Sequence, residues 1–318
     1  MVKRRRWKSK LQVRGVIMKK VVKFGGSSLA NAEQFQKVGD IIRSDESRRY
    51  VVPSAPGKRF DEDIKVTDML YGCYDAASKG EDITEKINAI KARYYEIIKG
   101  LGLSLSLEEE FKKIDEDFRA QAGIQYAASR GEFLNGKIMA AYLGYDFVDA
   151  ASVIRFDKAG NLEAEETNKL LSKKLSKSQH AVIPGFYGAC ADGTVKTFSR
   201  GGSDVTGSLV AKAIHADIYE NWTDVSGFLV ADPRIVENPA VIRTITYTEL
   251  RELSYMGASV LHEAAIFPVR AAGIPINIRN TNAPEEPGTM IVPDSSDEEV
   301  SAYTITGIAG KKQFTSIN

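Results

Sequence analysis

The stretch Val21–Val22–Lys23–Phe24–Gly25–Gly26–Ser27–Ser28 reads as a short apolar strand running into a glycine turn. Asn31–Ser44 follows with helical spacing, since Phe35, Val38, Ile41 and Ile42 fall on one face. Tyr50–Val51–Val52 is a second strand, closed by Pro53–Ser54–Ala55–Pro56–Gly57. A strand, a tight turn, a helix and another apolar strand, in that order, open an α/β unit with a parallel sheet.

The rest of the chain extends that pattern. Residues 66–142 contain little that resembles strand. Ile83, Ile87, Ile90, Tyr94, Ile97 and Ile98 form one amphipathic stripe, and Leu107, Phe111, Ile114 and Phe118 another, which predicts a helical insert covering one edge or forming a lid. Strands are expected at Tyr145–Val148, Ala181–Ile183, Ile218–Trp222, Ile276–Ile278 and Thr289–Val292, with helices at 204–215, 247–256 and 261–272. Asp192–Gly193 marks a hairpin turn within Ala189–Phe198. The fold class is therefore α/β, a three-layer sandwich around a mostly parallel sheet.

Composition narrows the function classes. The 318 residues are 43% apolar and 27% charged, ordinary globular usage that excludes a disordered or collagenous chain. Cys73 and Cys190 stand far apart, which argues against a disulfide scaffold or a cysteine zinc site and for a reducing compartment, the cytoplasm. No window approaches the 18 or so apolar residues of a membrane span. Residues 1–20 hold nine basic side chains and no acidic ones; taking these from the net charge of +1 leaves −8 for the remainder. Residues 1–17 are read as a basic leader outside a compact unit that Met18 would begin. The acidic body argues against nucleic acid as partner, because phosphate binding needs clustered cations.

Several catalytic signatures are missing, including G-x-x-x-x-G-K-[ST] and G-x-G-x-x-G. His262–Glu263 starts like a zinc-protease helix, but Ile266 stands where the second histidine would be needed, so no metal site is expected. Two glycine turns remain. Gly25–Gly26–Ser27 follows Lys23, and Gly201–Gly202 follows Arg200 and precedes Ser203–Asp204 and a helix. Glycines let backbone approach a ligand closely, and N–H groups at a helix start attract anions. Two such turns, each with a cation, fit a clamp on a polyphosphate.

These residues carry a family wording. The chain resembles the aspartokinases of the amino-acid kinase superfamily over about residues 19–293. The motifs are Lys23–Phe24–Gly25–Gly26–Ser27–Ser28, Ser129–Arg130–Gly131–Glu132, Phe198–Ser199–Arg200–Gly201–Gly202–Ser203–Asp204, Trp222–Thr223–Asp224–Val225 with Asp232–Pro233–Arg234, and Gly257–Ala258–Ser259–Val260–Leu261–His262. The resemblance implies phosphorylation of the side-chain carboxylate of L-aspartate by ATP with Mg²⁺, giving 4-phospho-L-aspartate, the first step toward lysine, threonine and methionine. A carboxylate is already ionised at neutral pH and needs no general base. It does need neutralisation, because an anion must approach a polyanion.

The resemblance also implies roles. Lys23 would stabilise the transferring phosphoryl group and Asp204 would orient Lys23. Gly25, Gly26, Ser27, Gly201 and Gly202 would line the phosphates. Ser54, Thr67, Glu132, Arg200 and Ser203 would bind aspartate, Glu132 at its amino group and Arg200 at its α-carboxylate. Thr223, Asp224, Leu229, Arg234, Ser259 and Val260 would form the nucleotide pocket. Without the family wording, Glu132 reads as a helix-surface carboxylate and Arg234 as a solvated loop cation. Ser259 departs from the family, which often has a lysine there, and the spacing from Ser54 to Thr67 is longer than in some members.

The organisation that follows is a catalytic domain over 18–293, with a substrate lobe to about 195 and a nucleotide lobe from about 196. A linker spans 294–299, and 300–318 resembles the start of an ACT regulatory domain. Full-length relatives are expected to be homo-oligomers. No effector pocket fits within 300–318, so no inhibition by lysine or threonine is expected of this chain. The competing readings are a sister amino-acid kinase with another acidic substrate and a non-catalytic nucleotide-binding remnant.

Overall fold

The structure, a computed structural model, describes residues 18–231, 235–255, 261 and 263–293. The leader, linker and ACT-like segment, together with Arg234, Ser259, Val260 and His262, lie outside the described residues. Among the described residues, no helix is long and apolar enough to cross a membrane.

Ten strands and ten α-helices are described. The strands are β1 (Lys20–Phe24), β2 (Arg48–Pro53), β3 (Asp146–Phe147), β4 (Ala181–Val182), β5 (Tyr187–Ala189), β6 (Val195–Thr197), β7 (Ile218–Thr223), β8 (Thr244–Thr246), β9 (Ile276–Asn280) and β10 (Thr289–Val292). The helices are α1 (Ala32–Arg43), α2 (Val66–Ser78), α3 (Thr84–Gly100), α4 (Glu108–Arg119), α5 (Ile124–Leu143), α6 (Ala150–Val153), α7 (Ala164–Leu175), α8 (Gly202–Ala213), α9 (Tyr247–Tyr255) and α10 (Glu263–Ala271).

Eight strands form one sheet in the order β3-β4-β2-β1-β7-β9-β10-β8. Pairing is parallel throughout except between β9 and β10, so β10 and its parallel neighbour β8 run against the other six. β5 and β6 make the expected hairpin around Asp192–Gly193, and Gly193 takes φ +89° at the turn.

β1 and β2 carry apolar side chains on both sides because both faces of the sheet are covered. Along β1, Val22 and Phe24 face a core shared with Phe35 of α1, Leu70 of α2, Ile87 of α3, Phe111 of α4 and Leu134 of α5. Val21 faces the opposite core, with Val153 of α6, Leu171 of α7, Leu209 of α8, Leu250 of α9 and Val269 of α10. The result is the three-layer sandwich. The helical insert over 66–142 is α2 to α5, and α1 is capped at its start by the Asn31 side chain, which accepts from Gln34 N at 2.9 Å.

Three elements, α6, α7 and β8, are not among those expected from the sequence. The sequence also predicts longer strands at 145–148 and 181–183 than the two-residue β3 and β4. The pairing there continues past β3 and β4 as single hydrogen bonds, Val148 N to Val182 O and Ile183 N to Val51 O, each at 2.9 Å.

Candidate active site

The parallel strands β1 and β2 end side by side, and residues at and just past their ends line a cleft of about 360 Å³. Lys23, Ser54, Thr67, Glu132, Arg200, Gly201, Gly202, Ser203 and Asp204 all line it, with Phe186 and Ser199. Residues far apart in sequence therefore meet where open α/β sheets generally bind ligands, beyond the carboxyl ends of their strands.

Close glycine contacts shape the rim. A Cβ on Gly26 would lie 2.9 Å from the Ala55 carbonyl oxygen, and Gly57 N donates to Gly26 O at 2.8 Å. The first glycine turn is thereby laid against the loop after β2. Gly201 adopts φ +55° to start α8, and a Cβ on Gly202 would sit 2.6 Å from the Phe186 ring. Phe186 itself holds φ +78°, a conformation a bulky residue rarely adopts, and its N–H donates to Thr206 Oγ1 at 3.1 Å. Strain of this kind collects at functional sites.

Lys23 lies at the end of β1, mostly buried, with Nζ 2.7 Å from Asp204 Oδ1 in the first turn of α8. Asn221 of β7 stands opposite Lys23 in register; its Nδ2 donates to the same Oδ1 at 3.0 Å. The hydroxyls of Ser28 and Thr281 are 2.7 Å apart and tie the first glycine turn to the end of β9.

Glu132 projects from α5 and is 6% exposed. Its Oε2 is buried with no hydrogen-bond partner. Burial pushes the carboxyl up to about 8, although N–H groups of Ala55 and Glu132 and the Arg130 charge favour the ionised form. One turn further along, Asn135 Nδ2 donates to the Ser54 carbonyl at 2.6 Å and fixes the loop that carries Ser54. Gly131 makes that approach possible, since a Cβ there would lie 2.8 Å from the Ala55 Cβ. Arg200 is exposed and makes no ion pair among the described residues.

The cleft thus presents a cation at the strand end, a second, exposed cation and a desolvated carboxyl group that an incoming ammonium would favour in its ionised form. That set complements a small molecule bearing an ammonium and carboxylates. Gly25, Gly26 and Ser27 are not among the lining residues, although a Cβ on Gly25 would lie 3.7 Å from Lys23 Nζ. Thr223, Asp224 and Leu229 are also not among the lining residues. Thr223 Oγ1 donates to Asp224 Oδ1 at 3.1 Å just past the cleft end of β7, and Leu229 bridges to Val241. The sequence reading did not single out Phe186, Asn135 or Asn221. Their contacts depend on long-range register and have no local signal.

Residues 18–280 match the model of the amino acid kinase family. The chain is 40% identical to aspartokinase 3 of Bacillus subtilis over 94% of its own length and 68% of that protein's. Among solved structures, it is similar to the aspartate kinase of Clostridium acetobutylicum with a TM-score of 0.87 and 52% identity, covering 92% of this chain and 66% of that one. It is also similar to aspartokinase III of Escherichia coli in complex with aspartate and ADP, with a TM-score of 0.76 and 27% identity, over 88% and 65% of the two chains. This chain therefore spans about two thirds of the length of these relatives.

Proposed function

The chain belongs to the amino acid kinase family and, within it, to the aspartokinases, and from that premise we propose that its cleft transfers the γ-phosphoryl group of ATP to the side-chain carboxylate of L-aspartate. The product is 4-phospho-L-aspartate, the entry to lysine, threonine and methionine synthesis.

The observation that carries this reading is the buried, partnerless Oε2 of Glu132 in one cleft with Arg200 and Lys23. An α-amino acid offers an ammonium to Glu132 and an α-carboxylate to Arg200, whose guanidinium can take it by two parallel hydrogen bonds. Its side-chain carboxylate is then free to face the phosphates. Ser54, Thr67 and Ser203 supply hydroxyls around it.

The acceptor is already ionised, so the site's task is positioning and charge stabilisation. Lys23 takes charge developing on the transferring group. The N–H groups of Gly26 and of the start of α8 add positive potential, while the Gly25 N–H is donated to the Trp222 carbonyl oxygen at 3.1 Å. Asp204 and Asn221 hold Lys23 at the strand end. Thr223, Asp224, Leu229, Arg234, Ser259 and Val260 are assigned to the nucleotide side by the family wording. Among the described residues, no three His, Cys, Asp or Glu side chains come together to hold a metal. Mg²⁺ is taken to enter with the ATP phosphates, as part of the nucleotide substrate.

The test is purified protein with ATP, Mg²⁺ and hydroxylamine, offering aspartate, glutamate and other acidic amino acids separately. Hydroxamate from aspartate alone is expected, and Lys23→Ala is expected to lower turnover by about 10²–10³. Hydroxamate from another acid in preference to aspartate, or from none, would overturn the reading.

A further inference from the structure

We propose that Asn221 is a positioning residue for this transfer: its side-chain amide keeps the Asp204 carboxylate in place when Lys23 turns from that carboxylate to the phosphates. The inference rests on the reading of the cleft given above.

Lys23 and Asn221 sit directly across from each other on the parallel strands β1 and β7, so their side chains share a face. Both reach Asp204 Oδ1, Lys23 Nζ at 2.7 Å and Asn221 Nδ2 at 3.0 Å. Asn221 Oδ1 in turn lies 3.5 Å from Lys23 Nζ. The three side chains close a ring in which the amide donates to the carboxylate and accepts from the ammonium.

A lysine that serves both Asp204 and a phosphoryl group cannot hold both equally. Its ammonium sits on a flexible stem and is drawn toward the stronger anion. Asp204 would then lose its charged partner in a mostly buried setting, where a carboxylate without a donor swings away or takes a proton. Asn221 prevents this because it cannot leave. It is 4% exposed and fixed by the β1–β7 register.

Its neutrality matters equally. A carboxylate at this position would give Lys23 a second anion to cling to, and an aliphatic side chain would give Asp204 nothing. The other neighbours do not substitute for it. On β9 the register partner is the apolar Ile278, and the Tyr219 hydroxyl of β7 donates to the Asp204 backbone carbonyl rather than to its carboxylate. The charged groups facing the amide are therefore Lys23 from β1 and Asp204 from α8.

Two variants of the full chain test this. Asn221→Ser is expected to lower kcat about tenfold through loss of alignment. KM for aspartate and for ATP should stay within about twofold, and the thermal midpoint should stay close to wild type. Asn221→Asp carries the decisive signature. Protonated, its carboxyl donates to Asp204 as the amide does; ionised, it repels Asp204 and competes for Lys23. Carboxylates in contact share a proton, with the second loss raised. Its kcat relative to wild type should therefore decline as pH rises from about 5.5 to 8.5.

A wild-type kcat in Asn221→Ser, or a pH-independent ratio in Asn221→Asp, would overturn the inference while leaving the proposed reaction intact. Loss of thermal stability with a rise in both KM values would assign Asn221 to packing and overturn it equally. A wild-type protein that forms no hydroxamate from aspartate would overturn the underlying reading and the inference with it.

Discussion

Gly26 and Ala55 meet backbone to backbone, and a Cβ on Gly26 would lie 2.9 Å from the Ala55 carbonyl oxygen. Neither side of this contact is a flexible side-chain tip, so an added methyl must part the glycine turn from the loop carrying Ser54. Gly26→Ala is expected to lower kcat about 10- to 100-fold, because displacements near 1 Å are costly in a positioned reaction. Steady-state assay with hydroxylamine measures it, and near-wild-type turnover would show that the two loops are not held in mutual register.

Glu132 gives the aspartate site a pH dependence with a definite sign. In the empty cleft burial holds its carboxyl near 8. Binding a substrate ammonium favours the ionised form, so at pH 6.5 binding should expel nearly one proton. The aspartate KM should accordingly rise as pH falls below about 8. Calorimetry in two buffers of different ionisation enthalpy counts the protons, and a count near zero at pH 6.5 would contradict the assignment.

The same group carries a stability slope. Between the ordinary glutamate value and about 8 the folded state holds a proton that the unfolded state has lost. Stability must fall as pH rises through that window. Glu132→Gln removes the slope, so its thermal midpoint should gain on wild type between about pH 5 and 8 while its aspartate KM rises.

Arg200 separates function from stability most cleanly. It is exposed and unpaired among the described residues, so Arg200→Ala should change folding stability by no more than about 0.5 kcal/mol. Loss of a charged hydrogen bond to the α-carboxylate, at about 1.5–3 kcal/mol, should raise the aspartate KM roughly 10- to 150-fold. Titration with an ATP analogue should be unaffected; equal damage to both ligands would mean the wrong pocket.

The reverse case is Glu220, at the start of β7 and away from the cleft. It pairs with Arg48 at 2.8 Å and with Lys20 at 3.0 Å, and accepts from Trp222 Nε1 at 2.9 Å. Burial works against its ionisation, but Arg48 and Lys20 together hold the carboxyl below the usual value. Its contribution is present above the ordinary glutamate pKa and lost as pH falls through the depressed one. Glu220→Gln strands Arg48 and should cost about 3–5 kcal/mol, with kcat and both KM values intact. Chemical denaturation at pH 7 decides it.

Much of this was legible in the chain itself, for physical reasons. β1, the first glycine turn and α1 follow from local pattern, because each is built from neighbours in sequence. The second glycine turn and the hairpin at Asp192–Gly193 are legible on the same grounds. β8 was not, because Thr244–Ile245–Thr246 is a three-residue strand whose place depends on pairing with β10. α7 buries only Thr167, Leu171 and Leu175, a narrow stripe among charges. Within the cleft, Lys23, Glu132 and Arg200 were found through their motifs. Asn221 and Asn135 escaped because their partners lie across register and helix contacts that no local pattern encodes. Thr67 reached the cleft despite the longer spacing from Ser54, because the start of α2 packs beside Gly131, whose Cβ would lie 3.8 Å from Thr67 Oγ1.

The reversal of β10 also decides how the catalytic unit is wired. Ile291 pairs with Ile276 at the start of β9, Ile276 with Tyr219, and Lys20 with Ile218. Lys20 and Val292 thus lie on the same edge of the sheet, the one opposite the cleft, with Lys20 about 10 Å of strand behind Lys23. β9 carries the backbone toward the cleft and β10 carries it back, so the last described strand ends away from the cleft mouth.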